Sequence, residues 1–266
     1  MSRLIQNIQS IETYQQLDSV IHRLHPSAKI VITFSYIVTL VSFGRYDCLP
    51  IIPLILYPAV MFAASSVPIS AILLRVIAVQ PFVIAVGIFN PLFDSHTERL
   101  FGHLISSGWF TFISILLKST LAVTSALLLF AVTGMNNIAH GLRVMFIPKL
   151  FVLQLVLTYR YIGVLMEEIS RSLTAYQMRS FRKGLQFSEW GSMPGHILLR
   201  SIERAERVYA AMCLRGFDGE YNIGSLQPIR FSDIMNVIGW LLFFVSIRYW
   251  NVTQIAGTFI QGVITK

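Results

Sequence analysis

Phe110-TFISILLKSTLAVTSALLLFA-Val132 runs for 23 residues with Lys118 as its one charge. At about 1.5 Å per residue, a helix of that length crosses the roughly 30 Å hydrocarbon core of a bilayer. A soluble core helix needs only one apolar stripe, whereas lipid demands an apolar surface nearly all round. This stretch therefore sets the fold class: an all-α integral membrane protein. The composition agrees. Of 266 residues, 55% are hydrophobic and 13% charged, with a mean hydropathy of +0.64, well outside soluble globular usage.

Working outward, Ala28–Phe43 reads as the first span and Leu49–Ala64 as the second, in spite of Pro53 and Pro58. Membrane helices tolerate proline because neighbouring groups satisfy the freed carbonyls. A third span covers Ile72–Phe89, with Arg75 near its start and Pro81 placed to kink it. Asn90–Gly108 is a polar loop, and the opening run is the fourth span, where Lys118 sits close enough to an end to snorkel to the headgroups. Ser232–Trp250 is the fifth, with Trp240, Tyr249 and Trp250 as interfacial aromatics. Met1–Ser27 is a polar lead-in at the membrane surface without the plan of a cleavable signal, so retention of the N-terminus is expected. The chain divides into 1–133 (lead-in and four transmembrane helices), 134–230, and 231–266 (last helix and tail).

Residues 134–230 differ in character, holding 12 of the 21 Lys/Arg and 7 of the 13 Asp/Glu. In a membrane protein such a basic block marks the cytoplasmic side, and no nucleic-acid partner is needed to explain the net charge of +8. The expectation is a cytoplasmic N-terminus, five spans and an outer C-terminus in the plasma or inner membrane. Asn136–Phe146 is a short helix, and Pro148 suits the first turn of a long one reaching Arg179. Leu150–Val164 is nearly long enough to span by itself. Crossing there would move the arginines beyond it to the wrong face, so this helix is read as cytoplasmic. Phe181–Gly195 is a connecting loop, and His196–Leu214 a second amphipathic helix.

The two long helices end alike. Ala175-Tyr-Gln-Met178-Arg179-Ser180-Phe181 and Ala211-Met-Cys-Leu214-Arg215-Gly216-Phe217 share Ala-x-x-[Met/Leu]-Arg-[small]-Phe, 36 residues apart. Behind the first lies the stripe Ile162, Met166, Ile169, Leu173, Tyr176; behind the second lies Leu198, Ile202, Ala205, Tyr209, Met212. Each steps by 4, 3, 4 and 3, one face of a helix. A single arginine in a last turn is ordinary dipole chemistry with a stop signal after it. Two matched ends on two matched stripes suggest a docking device instead. A guanidinium fork makes bidentate bonds to carboxylates or carbonyls, and the small residue beside it permits close approach. Two equivalent plugs imply two equivalent sockets, as on a dimeric soluble partner.

Other chemistries find little support. Six histidines (His22, His25, His96, His103, His140, His196) lack a third metal ligand at suitable spacing. No phosphate-binding glycine loop or hydrolase motif occurs. The apolar spans offer no carboxylate relay and no inverted repeat, against a proton-coupled transporter. Cys48 and Cys213 form no framework. No catalytic, cofactor or metal site is expected. A self-contained transporter or channel would have to rely on Arg75 and Lys118, and a membrane-bound enzyme on His96 and His103 with Asp94 and Glu98.

With these motifs in view, the chain resembles the transmembrane T component of energy-coupling factor (ECF) transporters, most closely the CbiQ branch. The likeness covers nearly the whole chain: Leu24-His-Pro-Ser-Ala-Lys29, Pro81-Phe82 with Asn90-Pro91, Pro148-Lys-Leu150 with Tyr159-Arg160-Tyr161, Arg215-Gly-Phe-Asp-Gly219, and above all the arginine motifs. Met178 and Leu214 stand where the family commonly has alanine. The resemblance implies cytoplasmic coupling helices whose Arg179-Ser180 and Arg215-Gly216 insert into two ABC-type ATPase subunits. It also implies a separate substrate-binding membrane subunit (the S component), room for a small accessory membrane subunit, and cobalt or nickel as cargo, with a vitamin importer as the alternative.

Overall fold

The computed structural model describes residues 21–44, 49–65, 67–93, 97–100, 103–179, 191–219 and 228–249. They form α1 (Pro26–Ser42), a 3₁₀ helix (Leu49–Ile55), α2 (Leu56–Ser65), α3 (Ile69–Gly87), α4 (Phe89–Phe93) and a hairpin β1–β2 (Thr97–Leu100, His103–Ser106). Then come α5 (Ser107–Thr133), α6 (Met135–Val144), α7 (Lys149–Arg179), α8 (Ser192–Leu214) and α9 (Phe231–Tyr249). The fold is all-helical apart from the antiparallel hairpin, which pairs Thr97 with Ser106 and Leu100 with His103. Together with α4 it occupies what sequence reading leaves as an irregular polar loop. The elements fall into two compact units: α1–α5 with α9, and α6–α8.

Among the described residues, α3, α5, α7 and α9 are long and apolar enough to cross a membrane. α1 and the Leu49–Ser65 segment are shorter. In the latter, Pro53 lacks the N–H that an α-helix would use, and the chain takes the tighter 3₁₀ form up to Ile55. At about 2 Å per residue for that part, the two pieces reach roughly 29 Å, enough for the bilayer core. α3 continues through Pro81 without a break. Phe34, Leu74 and Phe82 are 67%, 70% and 73% exposed, large apolar groups that only lipid or a membrane partner would cover.

Side-chain pairs fix the direction of each span. Thr33 meets Tyr57, their hydroxyls 2.7 Å apart, and the Tyr36 hydroxyl donates to the Leu54 carbonyl at 3.2 Å, so α1 and the second span are antiparallel. Gln80 Nε2 donates to Thr120 Oγ1 at 2.7 Å, and a Cβ on Gly87 would lie 2.9 Å from the Phe112 ring; α3 and α5 are antiparallel as well. α9 runs parallel to α1: Asp233 meets His25 at one end, Phe244 stacks on Tyr36 midway, and Arg248 lies over Phe43 at the other. Between them Tyr57 packs edge-on against Trp240, with ring centroids 5.1 Å apart. Trp240 is thus a bundle residue halfway along α9, and the interfacial role expected of it is not what it does. Exposed Tyr249 remains at the helix end, and Trp250 lies outside the described residues.

Lys118 also behaves differently from expectation. Lys118 Nζ donates to the carbonyls of Phe43 (2.9 Å) and Gly44 (2.8 Å). It satisfies acceptors that the end of α1 leaves open, rather than reaching for headgroups. Asp233 is a buried carboxylate in the first turn of a span. Its Oδ1 accepts from the His25 N–H (3.3 Å) and its Oδ2 from the Arg230 N–H (2.9 Å). His25 is itself the buried N-cap of α1, its ring nitrogen accepting from the Ser27 N–H. It is a structural histidine.

Candidate functional site: an arginine-tipped helix pair

In the α6–α8 unit, Ala139 of α6 is buried against Val152 and Val156 of α7, with Leu142, Ile147 and Leu155 around them. This small core holds the apolar first half of α7 and leaves the second half to meet α8. The contact is narrow and polar. Glu168 of α7 pairs with Arg204 of α8 at 2.8 Å and lies 3.6 Å from Arg200. The partly covered side of α8 comprises Ile197, Ser201, Arg204, Val208 and Met212.

That side is one residue out of step with the apolar stripe read from the sequence. Leu198, Ile202 and Tyr209 are 60%, 48% and 62% exposed, and Ala205 is exposed too; only Met212 belongs to both. On α7, Met166, Ile169, Leu173 and Tyr176 are half-buried and Ile162 is exposed. The two stripes therefore do not pack on each other. An ion-paired seam joins the helices, and the α8 stripe beside it stays open. Beside the stripe, the Cys213 side chain holds the Tyr209 phenol pKa above its ordinary value.

The helix tips are open. Ala175, Met178 and Arg179 at the end of α7 are exposed, as are Ala211, Leu214, Arg215 and Gly216 at the end of α8; Ser180 lies outside the described residues. Met178 and Leu214 are 84% and 90% exposed, so an apolar group flanks each arginine. The end of α8 is built with care. Gly216 N–H donates to the Cys213 carbonyl and Phe217 N–H to the Met212 carbonyl, both at 3.0 Å, with Gly216 at φ +81°. This is a Schellman termination, and it holds Arg215 as the C-cap. Gly216→Val puts a β-branched residue into that left-handed position, at a cost of about 1–2 kcal/mol. The variant is expected to keep its fold while α8 frays at Arg215, seen as weaker capture of a partner bound through Arg215. Undiminished capture would show that the glycine is a mere stop signal.

Among the described residues no cluster of three or more His, Cys, Asp or Glu could hold a metal ion. The long apolar helices α3, α5, α7 and α9 define the class: an all-helical integral membrane protein. The chain belongs to the CbiQ cobalt transport protein family, whose model matches residues 18–226. It is 23% identical to the energy-coupling factor transporter transmembrane protein EcfT of Leuconostoc gelidum over 88% of this chain and 94% of that protein. The EcfT of Lactococcus lactis is 22% identical over the same shares. Nickel permease LarQ of Lactiplantibacillus plantarum is 25% identical over 48% of each chain, so that match spans about half of LarQ.

Sequence reading missed Glu168, Arg200 and Arg204. A signal existed: continuing the 36-residue repeat backwards aligns Glu167 with Glu203 and Arg171 with Arg207 as well as Ala175 with Ala211. Both of the resulting i,i+4 pairs form, Glu167–Arg171 at 3.0 Å and Glu203–Arg207 at 3.7 Å.

Proposed function

We propose that this chain is the membrane scaffold and coupling subunit of an ATP-driven ECF importer, carrying ATPase motion to a separate substrate-binding membrane subunit. The observation that carries this reading is the pinned helix pair ending in exposed, matched arginines. Arg179 and Arg215 are the plugs for two ABC-type ATPase subunits. The open stripe of α8 (Leu198, Ile202, Ala205, Tyr209) faces the substrate-binding subunit. ATP hydrolysis belongs to the partners. Cobalt or nickel as cargo is supported by the family's name and by that of LarQ.

Topology supports the same reading. Because α1 and α9 are parallel and begin side by side at His25 and Asp233, an even number of crossings separates their starts. α1, Leu49–Ser65, α3 and α5 supply four. The starts of α1 and α9 then share one side of the membrane, the cytoplasmic side by the positive-inside rule.

The test is uptake into proteoliposomes. The chain assembled with its ATPase pair and substrate-binding subunit is expected to accumulate Co²⁺ or Ni²⁺ only with ATP, and the chain by itself is expected to transport nothing. Uptake by the isolated chain would replace this reading with a self-contained transporter.

A further inference from the structure

The Glu168–Arg204 pair joins residues separated by 36 positions, the same offset that relates Arg179 to Arg215 and each stripe residue to its counterpart. Two copies related by a two-fold axis bring equivalent residues together only on the axis. A meeting of repeat-equivalent residues is the contact that a pseudo-two-fold through this point would give. From there to either arginine is 11 residues, about 16 Å of helix on each side. At the meeting point identical residues would repel if acidic or basic, and here the repeat is charge-inverted. Its neighbours Glu167/Glu203 and Arg171/Arg207 keep one sign in both copies and pair within their own helices.

Burial follows the same division. The Glu168 side chain is 13% exposed and that of Arg204 39%, whereas the four residues of the intrahelical pairs are 62–80% exposed. Arg200 adds a second cation at 3.6 Å, so one sheltered carboxylate holds two positions one turn apart on α8. A single point of attachment with equal arms transmits rotation but resists sliding, since sliding would part the charges.

Resting on the coupling function above, we infer that Glu168 is a positioning residue, the pivot that keeps Arg179 and Arg215 symmetrically placed for two identical sockets. Its loss leaves docking of each tip intact and uncouples the movement of one tip from the other.

The test uses the full chain assembled with its ATPase pair and substrate-binding subunit, in a Cys48→Ser, Cys213→Ser background. Spin labels go on Thr174→Cys and Ala210→Cys, which are exposed, repeat-equivalent, and clear of the arginine motifs. Glu168→Gln is expected to broaden the inter-label distance distribution and lower uptake per ATP hydrolysed roughly tenfold, the size of a typical coupling free energy. The ATPase subunits should still co-purify. The exchange Glu168→Arg with Arg204→Glu re-forms the pair with roles reversed and is expected to restore both readouts. An unchanged distance distribution and unchanged uptake per ATP in Glu168→Gln overturns the pivot. So does a charge exchange that folds yet stays uncoupled, which decides the matter if Glu168→Gln does not fold. Failure of the unmutated helix pair to capture ATPase subunits would instead remove the coupling reading beneath it.

Discussion

Reversing both tip charges, Arg179→Glu with Arg215→Glu, is expected to abolish capture of the ATPase pair and with it ATP-driven uptake. Each arginine is exposed in the free chain, so neither supports the fold beyond a helix-dipole contribution of about 0.3–1 kcal/mol. In a socket, a buried charged hydrogen bond that loses its partner costs about 2–5 kcal/mol per site. The two sites are linked, because the α7–α8 crossing presents both tips together. The first to bind raises the effective concentration of the second, and such avidity is worth about 10²–10⁴. One reversal should therefore weaken capture steeply, and two should eliminate it. Arg→Lys at either position should recover charge but not the planar fork, giving partial rescue. Quantitative co-purification reads these differences, with thermal melting in detergent as the control. Normal assembly and transport by the double variant would show that the tips are not plugs.

Much of this arrangement could be read from residue order. The spans were legible because lipid imposes a crude rule, apolar over about 20 residues, and Ser107–Thr133 meets it openly. The repeated ends were legible because Ala, Arg and Phe recur at one fixed offset. What stayed hidden depended on partners distant in sequence. Lys118 reads as a snorkelling cation until the carbonyls of Phe43 and Gly44 are brought to it. The openness of the α8 stripe stayed hidden too, since periodicity reports which residues share a side and not which side is covered. A helix held at a crossing by Glu168 and Arg204 can leave its apolar side open for another protein. Such a departure from the core-seeking rule is what a subunit of a complex should display.

Asp233 carries the other large effect, on stability. An exposed acid in a first turn would favour the α9 dipole by about 0.3–1 kcal/mol. Buried, Asp233 is the shared acceptor for two N–H groups, His25 at the start of α1 and Arg230 at the start of α9. It is also the charge felt by Lys29, whose buried ammonium donates to the His22 carbonyl at 3.2 Å. Asp233→Ala strands both N–H groups and removes the carboxylate charge felt by buried Lys29, expected to cost about 1–3 kcal/mol. Asp233→Asn keeps the shape and one acceptor oxygen, so its loss should be smaller. Asp233→Leu combined with Lys29→Met removes both charges and should regain part of the deficit, because the destabilisation lies in the orphaned partner more than in the lost attraction. Thermal unfolding of the purified chain in detergent ranks the three variants. An Asp233→Ala protein that melts with the wild type would mean that the starts of α1 and α9 are held together by the aromatic packing of Tyr36, Tyr57 and Phe244 alone.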